Sequence, residues 1–168
     1  VHEQVPDNHH FLFHGDPEKN TDFKRRINIY GKYAYPFKSL AELPARSSQV
    51  IAIFKENELS KFKKIADSLQ QYQVTRTTSP LDHKSIWMEI FPAGVSKRSS
   101  AAWLCSHINI SQQYSFGIGN DYNDLSLLEF TRYSYAVANA PEQLLKLYQQ
   151  TSAYDIDGFA EALLPIIS

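Results

Sequence analysis

The 168-residue sequence contains one cysteine, Cys105, which excludes an internal disulfide and any zinc site built on several thiolates. It contains one methionine, Met88, and opens on Val1, so the expectation is a processed chain or a piece of something longer. Neither sign of charge is in surplus: 17 Lys and Arg stand against 18 Asp and Glu. A dedicated nucleic-acid binder needs excess cations on one face to neutralise phosphates, so that class is set aside. No uninterrupted apolar run approaches 18 residues, and no membrane partner is expected. Val1-His2-Glu3-Gln4-Val5-Pro6-Asp7 lacks the basic and apolar stretches of a signal peptide, which makes a cytoplasmic protein the expectation. Repeats and low-complexity tracts are missing too.

What is there is enough to fold. Hydrophobic residues make up 43% and charged residues 21%, with 10 Tyr and 10 Phe, which suits one full domain or two small ones with an aromatic core. In the first part, His10 to His14 reads as a short strand and Asp22 to Tyr30 as a short helix. Phe37 to Leu43, between Pro36 and Pro44, reads as a loop or one helical turn. Val50 to Phe54 is a strand. Glu58 to Gln71 follows as an amphipathic helix burying Leu59, Phe62, Ile65, Ala66 and Leu69. Tyr72 to Thr78 and Ser85 to Phe91 are further strands, giving an α+β layer with largely antiparallel pairing.

The second part has another rhythm. Ser96 is placed to cap a helix reaching about His107, with Ala101, Ala102, Leu104 and Cys105 on its buried side. Strands are expected at Tyr114 to Gly119 and Tyr135 to Ala138. Helices are expected at Leu125 to Phe130, from Pro141 to about Gln150, and at Gly158 to Ile167. Such alternation with short connections indicates a parallel α/β sheet, the two layers meeting near Phe91 to Gly94. Trp87 and Trp103 are read as core.

Open α/β sheets present ligands at the carboxyl ends of their strands. Two loops fall there. In Pro92-Ala93-Gly94-Val95-Ser96-Lys97 a strand ends, a glycine turns the chain and a lysine lands at a helix N-terminus, an arrangement suited to an anion. The plain alternative is a surface lysine after an ordinary turn. Gly119-Asn120-Asp121-Tyr122-Asn123-Asp124 crowds oxygen donors of the kind Mg²⁺ takes, or else is an Asx turn capping the next helix through Asp124. Together they suit phosphoryl chemistry, which needs a cation and a lysine on the same oxygens.

Four ordered segments carry a resemblance: Glu89 to Lys97, Phe116 to Leu125, Ala136 to Ala140 and Asp157 to Ala160. They resemble the C-terminal half of Cof-type phosphatases of the haloacid dehalogenase superfamily, aspartyl-nucleophile hydrolases. The resemblance implies a partial Rossmann-like parallel sheet over residues 91–168 and a smaller α+β cap domain with an antiparallel sheet, selecting substrate, over residues 1–90. It also implies that Lys97 and Asn123 hold the phosphoryl group. Asn120, Asp121 and Asp124 form the Mg²⁺ loop, with Asp121 preferred over Asn120 because a carboxylate offsets the cation's charge.

That family writes the loop Gly-Asp-x-x-Asn-Asp, whereas Asn120 stands here where the first Asp is expected. The nucleophile motif Asp-x-Asp-Gly-Thr and the Ser/Thr motif are both missing. Asp155-Ile156-Asp157-Gly158 has the core of the former, but the polar Gln149 to Ala153 before it predicts no buried strand to aim the carboxylates, and Phe159 replaces the Thr. Without the nucleophile strand, the strand at 114–119 should be left as an open edge, pairing with a missing N-terminal segment or another chain.

The resemblance therefore implies a Mg²⁺-dependent phosphatase of small phosphorylated metabolites, inactive as this chain alone. The alternative is a non-catalytic binding or interaction module that keeps an anion or metal site. Asp7, His9, His10, His14 and Asp16 form a further cluster, read as exposed because His10 and His14 on a strand lie about 13 Å apart at ~3.3 Å per residue, too far for one zinc.

Overall fold

A computed structural model describes residues 10–44 and 47–167; Asp7 and His9 lie outside the described residues. Strand β1 (Phe11–Phe13) is followed by helix α1 (Thr21–Ile29), which Asn20 caps by accepting the Phe23 N–H at 3.0 Å. Strand β2 (Ala34–Pro36), not foreseen from the sequence, pairs parallel with β1, Phe11 opposite Ala34 and Phe13 opposite Pro36. The pairing departs from the antiparallel expectation because a helix, not a tight turn, joins the two strands. His10 packs edge-on to Tyr35 and His14 bonds the Phe37 carbonyl at 3.2 Å. No group of three or more His, Cys, Asp or Glu side chains placed to hold a metal ion exists among the described residues.

The next four elements form a sheet with a helix on one face. They are β3 (Val50–Phe54), α2 (Leu59–Asp67), β4 (Gln73–Thr78) and β5 (Ile86–Phe91). The strand order is β3-β5-β4, antiparallel throughout, with Phe54 and Thr78 both opposite Ile86. Alternation sends Ile86, Met88 and Ile90 toward α2, where they pack with Phe54, Phe62, Leu59 and Ile65. Met88 is wholly buried. The other face meets α1, whose Asp22, 1% exposed, accepts from Trp87 Nε1 at 2.6 Å and Ser79 Oγ at 2.7 Å. Helix α2 stops four residues before the expected end. Ser68 Oγ donates to the Ile65 carbonyl at 2.7 Å, and a serine that satisfies backbone groups this way competes with continued helix.

The remaining elements are α3 (Lys97–His107), β6 (Phe116–Gly119), α4 (Leu125–Leu128), β7 (Tyr133–Val137), α5 (Glu142–Leu147), β8 (Gln149–Thr151) and α6 (Gly158–Ile167). The sheet is parallel with order β6-β7-β8, and β6 has a partner on one side only among the described residues. Ala136 and Val137 of β7 pack with Leu128, Ala140 and Leu144.

Four sequence readings are corrected here. Helix α5 ends at Leu147, not near Gln150, because the chain extends into β8, whose Thr151 is buried and donates to the Gly158 carbonyl at 2.7 Å. A strand therefore does precede Asp155 and Asp157, though those two side chains stay exposed. Helix α3 buries no residue: Ala102 and Leu104 are exposed, Ala101 and Cys105 only half-buried, and Trp103 is 65% exposed, not core. No described helix is long and apolar enough to cross a membrane.

Candidate functional site

Strand β5 runs out at Phe91, and the turn after it puts Gly94 at φ +80°, in the left-handed region where an added Cβ is strained. Ser96 then caps α3. Its Oγ accepts the Ser99 N–H at 3.0 Å, and Ser99 Oγ accepts the Ser96 N–H at 2.9 Å. This double lock fixes Lys97 as the first helical residue. Its side chain is half-exposed, and its Nζ donates to Asp124 Oδ1.

Asp124 comes from the other loop. Gly119 ends β6 against it: a Cβ there would lie 2.6 Å from the Asp124 Cβ and 2.9 Å from Leu128 Cδ1, so only glycine allows the approach. The second Asp124 oxygen accepts the N–H groups of Asn120 at 2.9 Å and Asp121 at 3.2 Å. Asp121 Oδ1 caps the turn Tyr122–Asp124 by accepting the Tyr122 N–H at 2.8 Å. The capping side chain of the Asx turn is thus Asp121, while Asp124 folds back onto the loop's own amides.

Asp121 also reaches across to β4, accepting from Thr78 N–H at 2.6 Å and Thr78 Oγ1 at 2.9 Å. The side chains of Asn120 and Asn123 make no hydrogen bond among the described residues, Asn120 being exposed and Asn123 half-buried. A cleft of about 1190 Å³ opens here, lined by Lys97, Asn120, Asp121 and Asn123 together with Arg76 and Thr78 of β4. Lys97 and the acidic loop therefore meet in one place, as the two motifs require. The sequence reading missed the β4 contributors. One signal pointed to Arg76: it shares a strand face with Val74, so a charge falls where alternation calls for an apolar residue.

The donors are hard oxygens of the right chemistry for Mg²⁺, but they do not make a complete site. Both carboxylates, 8% and 5% exposed, already accept three hydrogen bonds each, which leaves about one lone-pair site apiece of roughly four. Asn120 offers only a neutral amide oxygen, a weaker donor to a divalent ion than the carboxylate the family's loop carries there.

The comparisons with known proteins bear on the family and the fold. The family model described as haloacid dehalogenase-like hydrolase matches residues 6–163, and the chain belongs to that family. Among solved structures it is similar to SMU.1108c from Streptococcus mutans UA159, at 21% identity and TM-score 0.71 over 93% of this chain and 57% of that one. A haloacid dehalogenase-like hydrolase from Bacteroides thetaiotaomicron gives 21% identity and TM-score 0.62 over 92% of this chain and 57% of its own. The sugar phosphatase BT4131, of subclass IIB of the superfamily, gives 19% and TM-score 0.67 over 85% and 55%. These likenesses establish the fold, a parallel α/β sheet with a separate antiparallel sheet, and this chain spans little more than half of each neighbour. No curated protein matches it in sequence. Hydrolases of this family typically use Mg²⁺.

Proposed function

We propose that this chain carries the phosphate-holding part of a phosphatase that hydrolyses phosphoric monoesters of small metabolites. The observation that supports this most is the Lys97–Asp124 pair, which draws the end of α3 and the loop after β6 to one cleft. In this reading the ammonium of Lys97, at the positive end of α3, and the amide of Asn123 hold the phosphoryl oxygens. Asp124 orients the lysine. Asn120, Asp121 and Asp124 are the candidate Mg²⁺ donors, and the rest of that shell, with the aspartate nucleophile, lies outside this sequence. Residues 1–90 act as the substrate-selecting cap and 91–168 as part of the core. Sugar phosphates are the first substrates to assay, given what BT4131 is described as.

The test compares two polypeptides in Mg²⁺ with p-nitrophenyl phosphate and a panel of sugar phosphates. The 168-residue chain is expected to turn over none of them. The product of the reading frame extended 5′ of the Val1 codon is expected to be active and to lose activity on Lys97→Ala. Turnover by the shorter chain that disappears on Asp124→Ala would overturn the proposal, as would an extended frame without an Asp-x-Asp-Gly-Thr segment. That both carboxylates already accept three internal hydrogen bonds each favours a second reading, a non-catalytic module that keeps the anion site, and a natural start codon close to Val1 would select it.

A further inference from the structure

Besides Lys97, the cleft is bordered by Lys84 and by Arg76, and of these Arg76 is the one held against the candidate loop. Arg76 lies on β4 opposite Met88, on the face that Val74 and Ile90 fill with apolar side chains. Its guanidinium lies over the ring of Tyr122, Cζ 4.0 Å from the centroid, on the same loop that holds Asp121 and Asp124. Among the described residues it forms no ion pair and no hydrogen bond, and its Nε is fully buried without a partner. The acids nearby do not neutralise it. Asp121 is held by Thr78, and Glu56 and Glu89, which line the same cleft, are not within ion-pair reach.

An arginine kept unpaired is expensive to hold, whereas a guanidinium stacked on a ring has its plane fixed and its edge free to meet two oxygens at once. Lys97, which lines the same cleft, already serves the transferred phosphate in the reading proposed above, on which this inference rests. We infer that Arg76 is a specificity residue that receives a second anionic group on the leaving side of the substrate. The substrate class is then a small metabolite with one phosphate monoester and one further anion, a carboxylate or a second phosphate.

Binding to the full 168-residue chain, followed by titration calorimetry, tests this with two probe pairs. Glycerol 3-phosphate is compared with 3-phosphoglycerate, which adds a carboxylate, and fructose 6-phosphate with fructose 1,6-bisphosphate, which adds a phosphate. The doubly anionic member of one pair is expected to bind about tenfold tighter, the worth of one charge-assisted contact, and the pair that shows it names the anion. Arg76→Gln is expected to bring that ratio close to one while leaving the probe with a single anionic group unchanged. Lys97→Gln is expected to weaken all four probes. Equal affinities within both pairs, or a ratio that survives Arg76→Gln while Lys97→Gln still weakens every probe, overturns the role of Arg76 alone. Indifference of all four probes to Lys97→Gln overturns the phosphate reading and this inference with it. Should Arg76→Gln unfold the chain, Arg76→Lys is read the same way: a reduced ratio supports the role and an unchanged ratio overturns it.

Discussion

The two sheets of this chain are unequal in how they are covered. The antiparallel sheet has β5 at its centre, α2 packed on one face through Phe62 and Ile65, and α1 on the other through the Asp22–Trp87 bond. The parallel sheet has its buried residues gathered on β7, α4 and α5, while α3 buries nothing and β6 forms an outer strand. Trp103, Leu104, Ile108 and Phe159 stand about half or more exposed around it. Parallel sheets are ordinarily covered on both faces, because their strands carry apolar residues on both sides. Among the described residues the first sheet is thus covered on both faces and the second is not. The candidate site sits where they touch, its Asp121 held by a threonine of the first sheet.

Truncating buried side chains gives the largest effects and separates the halves. Met88→Ala, in the antiparallel core, and Leu144→Ala, in the parallel core, each remove a wholly buried side chain and should each cost about 2–5 kcal/mol. Their consequences should differ. Amide hydrogen exchange is expected to show Leu144→Ala stripping protection from β6 and β7 while β3 and β5 keep theirs, since the antiparallel sheet supplies its own cover. Met88→Ala should instead expose β3 to β5 and, through the lost Thr78 anchor, loosen the 120–124 loop. Uniform loss of protection along the chain in both variants would show one cooperative unit, and the inequality of the sheets would then have no energetic meaning.

A smaller effect, confined to the antiparallel half, comes from acid. Asp82 closes the β4–β5 turn by accepting from Lys84 N–H at 2.9 Å, Ser85 N–H at 2.8 Å and Ser85 Oγ at 2.6 Å. Burial pushes its pKa up, but the Ser85 hydroxyl, the two amides and the charge of His83 outweigh that and hold it below the ordinary 3.8. A carboxyl depressed in the folded state adds stability above its unfolded value, and that contribution fades as pH falls through the range beneath. Asp82→Asn should therefore lower the Tm at neutral pH and narrow the gap to wild type below about pH 4. A gap that is the same at pH 7 and pH 3 would show the turn to be indifferent to the charge.

Much of this architecture was legible because local patterns and packing agreed. The alternation of Ile86, Met88 and Ile90 and the Leu59–Phe62–Ile65 spacing specify a strand and a helix that bury the same faces they advertise. The site was legible for a similar reason: Gly94, Ser96 and Gly119 are backbone requirements that also place Lys97 beside Asp124. The failures have a common cause, which is that they depend on partners distant in sequence. Strand β8 is polar at Gln149 and Gln150 and extends only because β7 offers it a ladder. Strand β2 likewise exists by pairing with β1. Thr78 and Arg76 carry no motif, and only the approach of β4 to the loop gives them a place in the cleft. The apolar side of α3 failed in the opposite sense: Ala101, Ala102, Leu104 and Cys105 have the composition of a buried surface, yet none is buried, and Trp103 beside them is exposed as well.

That last mismatch yields the smallest effect, and an informative one. Trp103 is stacked on His107 at 5.0 Å between ring centroids and otherwise faces outward from α3. A buried tryptophan replaced by a smaller residue typically costs several kcal/mol, whereas a surface substitution stays within about 0.5 kcal/mol. For this chain by itself, Trp103→Gln should fall in the second class when measured by urea denaturation, with an unchanged m-value. The same substitution in a longer polypeptide that supplies further strands beside β6 should move toward the first. A loss of more than about 1 kcal/mol in the 168-residue chain would mean that α3 already packs on something, and the difference in cover between the two sheets would vanish.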